Sequence, residues 1–442
     1  MANKIQIRRD VAANWTSSNP TLSQGEQGYE TDTGKIKIGD GSTAWTSLAY
    51  NTSYSDSDVD THLNTSTATT GEVLSWTGTD YDWIAAGGGG AALELYAENP
   101  STPTAPSATG SNAVAIGSQS QASGSYGLAL GRSSNSSGQG GVAIGYAIAS
   151  GSRSVSINNA AGSYSTVASA SNSTAIGGNS SAVQGSQAVT GAGAMALGGS
   201  YASGTDSFAA AITNNTSSYG ATGPNSVAMG KLAKATGISA HAFGASNTGN
   251  IASGHNSFAS GVGATASSNS TIAMGSSVTA DGYHSIAKGA YGDVNGVQYR
   301  EVFGFGTDYQ RSIFVLQDTT SDATATILST DGDASAINTT KQIVLPNNSA
   351  YAFHGTIVAR QQASAGTASA AWKVEGLIRR EGSAGTTVLV NSATTVLDNT
   401  PNWGMALSAD TTNGGLAITV TGAAATNIRW VATIHTSEVT YA

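Results

Sequence analysis

One phrase, returning at a fixed step, limits the fold of this chain more than any other feature. Ala-Val-Ala-Ile-Gly at 113–117 comes back as Gly-Leu-Ala-Leu-Gly at 127–131 and Gly-Val-Ala-Ile-Gly at 141–145, so Gly117, Gly131 and Gly145 stand 14 residues apart. The same step runs from Gly230 to Gly244 and from Gly261 through Gly275 to Gly289. A second glycine falls seven residues later at Gly124, Gly138, Gly237 and Gly282. Each repeat therefore reads as two halves, each a short strand closed by a glycine turn. One such coil cannot bury an apolar face, but a stack of coils can.

Stacking turns equivalent positions into ladders. One runs Val114, Leu128, Val142, Val155, Thr174, Met195, Val227, Ile272, Ile286; the other runs Ile116, Leu130, Ile144, Ile157, Ile176, Leu197, Met229, Phe243, Met274. Residues two apart on a strand share a face, so both ladders are expected on one buried face. Ala115, Ala129 and Ala143 then lie on the other, where small side chains permit close approach. About a dozen coils at ~4.8 Å per strand spacing predict a rod on the order of 60 Å long. Longer steps, 21 residues from Gly177 to Gly198 and 17 from Gly244 to Gly261, predict loops near 160–170, 179–190, 214–223 and 246–250.

Composition agrees with a close-packed stack. The 442 residues include 56 glycines, and only 10% are charged, against roughly 25% in an ordinary domain. There is no cysteine, which removes disulfides, thiolate zinc sites and thiol nucleophiles. A net charge of −9 without a basic run argues against nucleic acid as partner. No stretch reaches the roughly 18–20 apolar residues of a membrane-spanning helix, and the charges in Lys4, Arg8, Arg9 and Asp10 interrupt any signal-peptide core. Of the 27 acidic residues, 13 precede Pro100, 12 follow from Asp293 onward, and only Asp206 and Asp281 lie between. Charge thus marks out a nearly neutral middle with ordinary ends.

The first fifty residues read as short strands joined by tight turns. Ile5 and Ile7 alternate with polar residues, predicting a half-buried strand. Asp32-Thr33-Gly34 and Asp40-Gly41 are hairpin-turn sequences, and Trp15, Trp45 and Tyr50 are the expected core. The segments Ile5-Gln6-Ile7-Arg8-Arg9-Asp10, Asn14-Trp15 and Gly25 through Lys35 to Gly39-Asp40-Gly41 resemble the N-terminal domain of phage tail-fibre and major-tropism-determinant proteins. That resemblance implies a small trimeric β-prism near the virion-attachment end, contacting phage tail or baseplate proteins.

Residues 51–111 read as a connector. Ser55 is placed to cap a short helix carrying Asp56 and Asp58 in its first turn, with Val59 and Leu63 four apart. Glu72–Trp76 and Asp80–Trp83 predict a hairpin around Gly78. Gly87–Gly90 is a flexible joint, and Pro100, Pro103 and Pro106 have the polyproline period. The loop Asp56-Ser57-Asp58-Val59-Asp60 departs from a calcium loop, with Thr61 in place of glycine and Thr67 in place of glutamate.

The repeats at 112–290 are similar to the left-handed parallel β-roll of YadA-like trimeric adhesin heads; handedness and trimerisation are implied by that resemblance. The phage-type N-terminus, with no secretion signal or membrane anchor read in the sequence, makes a phage fibre shaft the expected context. From residue 300 to 442 period-two strands take over. Trp372, Val374 and Ile378 alternate with Lys373, Glu375 and Arg379. Leu416, Ile418 and Val420 share a face, as do Ile428, Trp430, Ala432 and Ile434, and Asn413-Gly414 marks a hairpin. An antiparallel β-sandwich or jelly roll is expected, resembling a terminal domain found in phage fibres.

The whole chain is therefore expected to be an all-β trimeric fibre: an attachment domain at 1–50, a connector at 51–111, a β-roll at 112–290 and a sandwich at 300–442. Its expected work is adhesion to a host-surface glycan or protein receptor, with no cofactor and no enzymatic activity. Catalysis on a glycan would need two facing carboxylates about 5–10 Å apart, and Asp206 and Asp281 stand on different coils. Arg379, Arg380, Asn402 and Trp403 are the candidate receptor contacts, because arginines and aromatics on loops anchor interfaces; of these, Trp403 suits the core better than the surface. His241 and Lys288 fall on the apolar ladders and would recur three times in a trimer. Two alternatives are a structural fibre whose terminal domain docks another tail component, and a bacterial trimeric adhesin.

Overall fold

The computed structural model describes residues 6–51, 56–63, 65–76, 78–79, 81–85, 104–158, 166–177, 186–188, 190–212, 218–244, 249–362 and 368–441. Ser55, the Gly87–Gly90 joint, Pro100, Pro103 and much of the expected insertion loops lie outside them. Contacts divide the chain into two units, 1–91 and 92–442.

In the first unit the strand Arg8–Asp10 pairs in parallel with Gln27–Glu30, which pairs antiparallel with Ile36–Ile38. The expected hairpin is therefore present, turning at Gly34 with φ +74°. A helix at Ala12–Ser18 was not expected from the pattern. Acceptors at its start explain it: Asp10 takes the Val11 N–H and the Asn14 amide, and Asp32 takes the Ala12 N–H. The helix carries Trp15 onto Trp45, with ring centroids 4.1 Å apart, and Leu22 completes the core. Tyr50 departs from expectation. It is 37% exposed, and its hydroxyl donates to the buried Glu30 carboxylate at 2.7 Å. A buried carboxylate needs donors more than a small core needs another ring. Ile7 is 39% exposed and lies just before the strand Arg8–Asp10, while Ile5 lies outside the described residues. The connector has the expected helix at Asp56–His62, with both acids in its first turn, and the expected hairpin of Glu72–Trp76 with Tyr81–Ala85.

The second unit opens with a parallel β-solenoid of about 12 turns. Successive half-coils alternate between two sheets. Twelve short strands from Ser107–Ala108 to Thr279–Ala280 form one, and the phrase strands from Val114–Ile116 to Ile286–Ala290 form the other. The register is the one the period predicts: Val142, Ala143 and Ile144 sit beside Leu128, Ala129 and Leu130. The insertions leave it intact, since Thr174 still meets Met195 and His241 still meets Phe258.

Which face is inside differs from expectation. The interior is the alanine face. Ala129, Ala143, Ala196, Ala228 and Ala273 of one sheet, and Ala122, Ala149, Ala202, Ala235 and Ala266 of the other, are fully buried. The branched ladders point outward, with Val114 46%, Leu130 37%, Met229 40% and Met274 45% exposed. Half-coils this short bring the two sheets close together, so small side chains fill most of the interior, with larger ones only at single positions such as Ile212, Val278 and Val294. Buried serines fit because their hydroxyls donate to the carbonyl three residues back: Ser134 to Gly131, Ser154 to Gly151, Ser257 to Gly254 and Ser285 to Gly282, at 2.6–2.9 Å. Stacking alone dictates glycine at 138, where a Cβ would run into the Gly151 carbonyl of the next coil.

The terminal domain begins in the same sheet. Arg300–Phe305 pairs in parallel with Ile286–Ala290 and antiparallel with Tyr309–Thr320. The sheet then continues through Ile428–Thr440, Ser349–Gln361 and Ser369–Arg380 to the edge strand Val388–Asp398. A smaller antiparallel sheet gathers Ala325–Ile327, Ile343–Val344 and Gly404–Asp410 around Gly415–Thr421. Residues of both enclose one core, in which Trp372 stacks on Trp430 at 5.8 Å. The antiparallel sandwich is thus as expected; the buried alternations over 372–378 and 428–434 are those read from the sequence, and Leu416, Ile418 and Val420 are buried together with Ala417 between them.

Candidate functional site

The four candidate receptor contacts fall at opposite ends of one strand. Arg379 and Arg380 close Ser369–Arg380, whereas Asp398, just before the Asn402–Trp403 turn, pairs with Ala371 near its beginning. Nine residues at about 3.3 Å each separate the ends by roughly 30 Å, so one small ligand does not span them.

Each pair also divides internally. Arg379 is exposed and pairs with Glu381 at 2.8 Å. Arg380 is half-buried, and its Nη1 donates to the Leu345 carbonyl at 2.6 Å. It braces the Gly414 turn, where a side chain would meet its guanidinium, and is not a free anchor. Asn402 is exposed in the left-handed region, with φ +59°. Trp403 is 5% exposed and tilts against Trp430 at 5.8 Å, so it takes the core place the sequence favoured and is removed from the receptor candidates. The Asn399 side chain clips this turn, accepting the Trp403 N–H at 2.9 Å and donating to its carbonyl at 2.8 Å.

The ladder residues that looked out of place are accommodated by the outward face. His241 sits between Val227 and Phe258 in register, its ring 6.3 Å from Phe243. Lys288 reaches the next strand and pairs with Glu301 at 2.9 Å. Asp281 accepts the Gly296 N–H at 2.7 Å, a turn brace. Among the described residues no group of three His, Asp or Glu is placed to hold a metal ion.

The outward apolar ladder is an organised surface running the length of the shaft. Between Met195 and Ile272 the register runs through Phe208, Val227, His241 and Phe258, of which the phrase search passed over Phe208 and Phe258. The signal was there in Phe208-Ala209-Ala210 and Phe258-Ala259-Ser260-Gly261, where a ring replaces the branched residue before alanine. Beyond it, the edge strand Val388–Asp398 leaves Val388, Val390, Val396 and Leu397 45–59% exposed.

Known families match the N-terminal unit and parts of the roll. Residues 5–43 match the major tropism determinant N-terminal domain. Residues 108–134, 122–146, 221–247 and 252–277 match the YadA head domain repeat. No curated protein matches the chain. Between the matched repeats the coils continue in unbroken register through Val155, Thr174, Met195 and Phe208. A β-solenoid with these two domain types is the make-up of a phage tail fibre or a trimeric adhesin. The N-terminal match, to a domain of major tropism determinants, implies a phage virion component. No helix is long and apolar enough to cross a membrane among the described residues.

Proposed function

We propose that the protein is a homotrimeric phage tail fibre that attaches the virion to the host cell surface by adhesion, without catalysis. The observation that carries this reading is the outward apolar double ladder. It runs the length of the shaft from Val114 to Met274 and Ile286. Contiguous apolar patches larger than several hundred Å² mark interaction surfaces, and identical ladders on three chains cover one another. The N-terminal unit, by its match, is the virion end. The terminal domain, which unlike the shaft combines arginines, aromatics and non-repeating turns, is the receptor end, taking a surface glycan or protein. Three copies of a weak site give avidity without new chemistry.

Two measurements test this. Light scattering on the purified chain should give three times 44.0 kDa, with a net charge of 3 × −9 = −27. Added to host cells, the full-length protein should slow adsorption of the phage; a monodisperse monomer, or no effect on adsorption, would overturn the reading.

A further inference from the structure

A groove of about 280 Å³ opens where the last turn of the roll meets the first hairpin of the terminal domain. Tyr291, Asp293 and Asn295 come from the roll side, and Asp308, Tyr309 and Gln310 from the hairpin between Arg300–Phe305 and Tyr309–Thr320. Both phenol rings are open, Tyr291 50% and Tyr309 58% exposed.

The polar groups are held in place but not used up. Gln310 clamps Asp293 from both sides, accepting its N–H at 3.1 Å and donating to its carbonyl at 3.3 Å. The same amide donates to Glu438 at 2.8 Å, which fixes the groove floor to the buried interior. Asp293 accepts the Asn295 N–H through one oxygen at 2.7 Å. Burial pushes its carboxyl above the ordinary value, as expected of a carboxylate short of donors. The Thr440 N–H holds the Asp308 carbonyl at 2.9 Å, while the Asp308 carboxylate has no partner among the described residues.

Charge narrows the ligand. No basic residue lines the groove, and Arg300 beneath it is already paired with Glu438. Phosphate, nucleic acid and acidic sugars would meet two carboxylates with no cation to offset them. Aromatic faces offer apolar contact with the C–H face of a sugar ring, and carboxylates and amides accept its hydroxyls. The volume lies just below the usual span of small-molecule sites, about 300–1,000 Å³, which suits one or two rings of a longer chain.

We propose that this groove is a subsite for a neutral sugar unit of a host-surface polysaccharide; the proposal rests on the attachment reading above. Saturation-transfer NMR on the full-length protein with mannotriose, chitotriose and 3′-sialyllactose tests it. At least one neutral probe should give ring-proton transfer, with sialyllactose at least tenfold weaker. Tyr309→Ala and Asp308→Asn should each weaken binding at least tenfold, with circular dichroism and Tm unchanged. No transfer from either neutral probe, preference for sialyllactose, or undiminished binding by both variants would overturn the subsite. Adsorption competition separates the two claims. If wild type and both variants slow adsorption equally, attachment stands and the groove is not its site. If wild type has no effect, the attachment reading fails, and variant-sensitive NMR binding would still support the sugar subsite.

Discussion

Arg300 and Glu438 form an ion pair from which solvent is excluded on both sides: Nη2 lies 2.6 Å from Oε2, and neither side chain is exposed. Arg300 also donates to Ser312 Oγ and to the Val294 carbonyl, each at 3.0 Å. The pair therefore ties the last turn of the roll to the first and last strands of the terminal domain, where the parallel stack becomes an antiparallel sheet. A guanidinium suits this position because its fork fills several acceptors at once.

Arg300→Met should leave Glu438 buried and unpaired, at a cost of about 3–5 kcal/mol. Calorimetry should report a lower Tm for this variant. The double variant Arg300→Met/Glu438→Leu should recover part of the loss, because no charge is then stranded. A double variant as unstable as the sum of the two singles would show that the pair does not couple these strands.

The two faces of the shaft should respond differently to substitution. Ala228→Leu overfills a fully buried position and should destabilise each chain by roughly 1–3 kcal/mol. Met229→Asp, one residue on and 40% exposed, should leave the fold of a chain intact while lowering the mass seen by light scattering. If both variants unfold alike, the assignment of inner and outer faces fails.

Acid should act through two aspartates with opposite sign. Burial tends to raise Asp410, but hydrogen bonds from Asn413, Gln342 and Thr412 outweigh it and hold its carboxyl below the ordinary value of 3.8. The stability it contributes is present above that value and lost as pH falls through the lower folded one. Burial raises Asp293 instead, so its ionisation destabilises the fold as pH rises from 3.8 through the folded value. Asp410→Asn should flatten the acid limb of a Tm–pH curve, whereas Asp293→Asn should raise Tm at neutral pH. The reverse pattern would mean the two environments are misassigned.

The repeats at 112–290 carry only Asp206 and Asp281, on different coils, so the purified protein should release no reducing sugar from host capsule or lipopolysaccharide. Release that disappears in Asp206→Asn or Asp281→Asn would establish a glycosidase and displace adhesion as the activity.

The N-terminal core of Trp15, Leu22 and Trp45 is small enough that one ring carries much of it. Trp45→Ala should cost about 3–5 kcal/mol and unfold the first unit, read by tryptophan fluorescence, while the transition of the second unit stays where it was. A shared shift of both transitions would show that the units fold together.

Much of this fold is legible in the sequence because it is periodic. The 14-residue step sets which residues become neighbours on adjacent coils, and the alternations around Trp372, Ile418 and Trp430 set which side chains of the terminal strands face a core. Period two fixes that Val142 and Ile144 share a side and Ala143 takes the other, but it is silent on which side is interior. That was decided by the separation of the two sheets, which favours alanine and serine over most of the stack, with Ile212 and Val278 as larger exceptions. The same holds at isolated positions. Trp403, Arg380 and Tyr50 each carry an apolar body and a polar tip, and their roles follow from partners far away in the chain: Trp430, the Leu345 carbonyl and Glu30. Likewise the Ala12–Ser18 helix depends on Asp32, 20 residues from the N–H it accepts, and the groove at Tyr291 and Tyr309 exists only because one sheet runs from roll into sandwich. Local pattern determined the register of the strands; distances between segments remote in sequence decided what they bury and what they present.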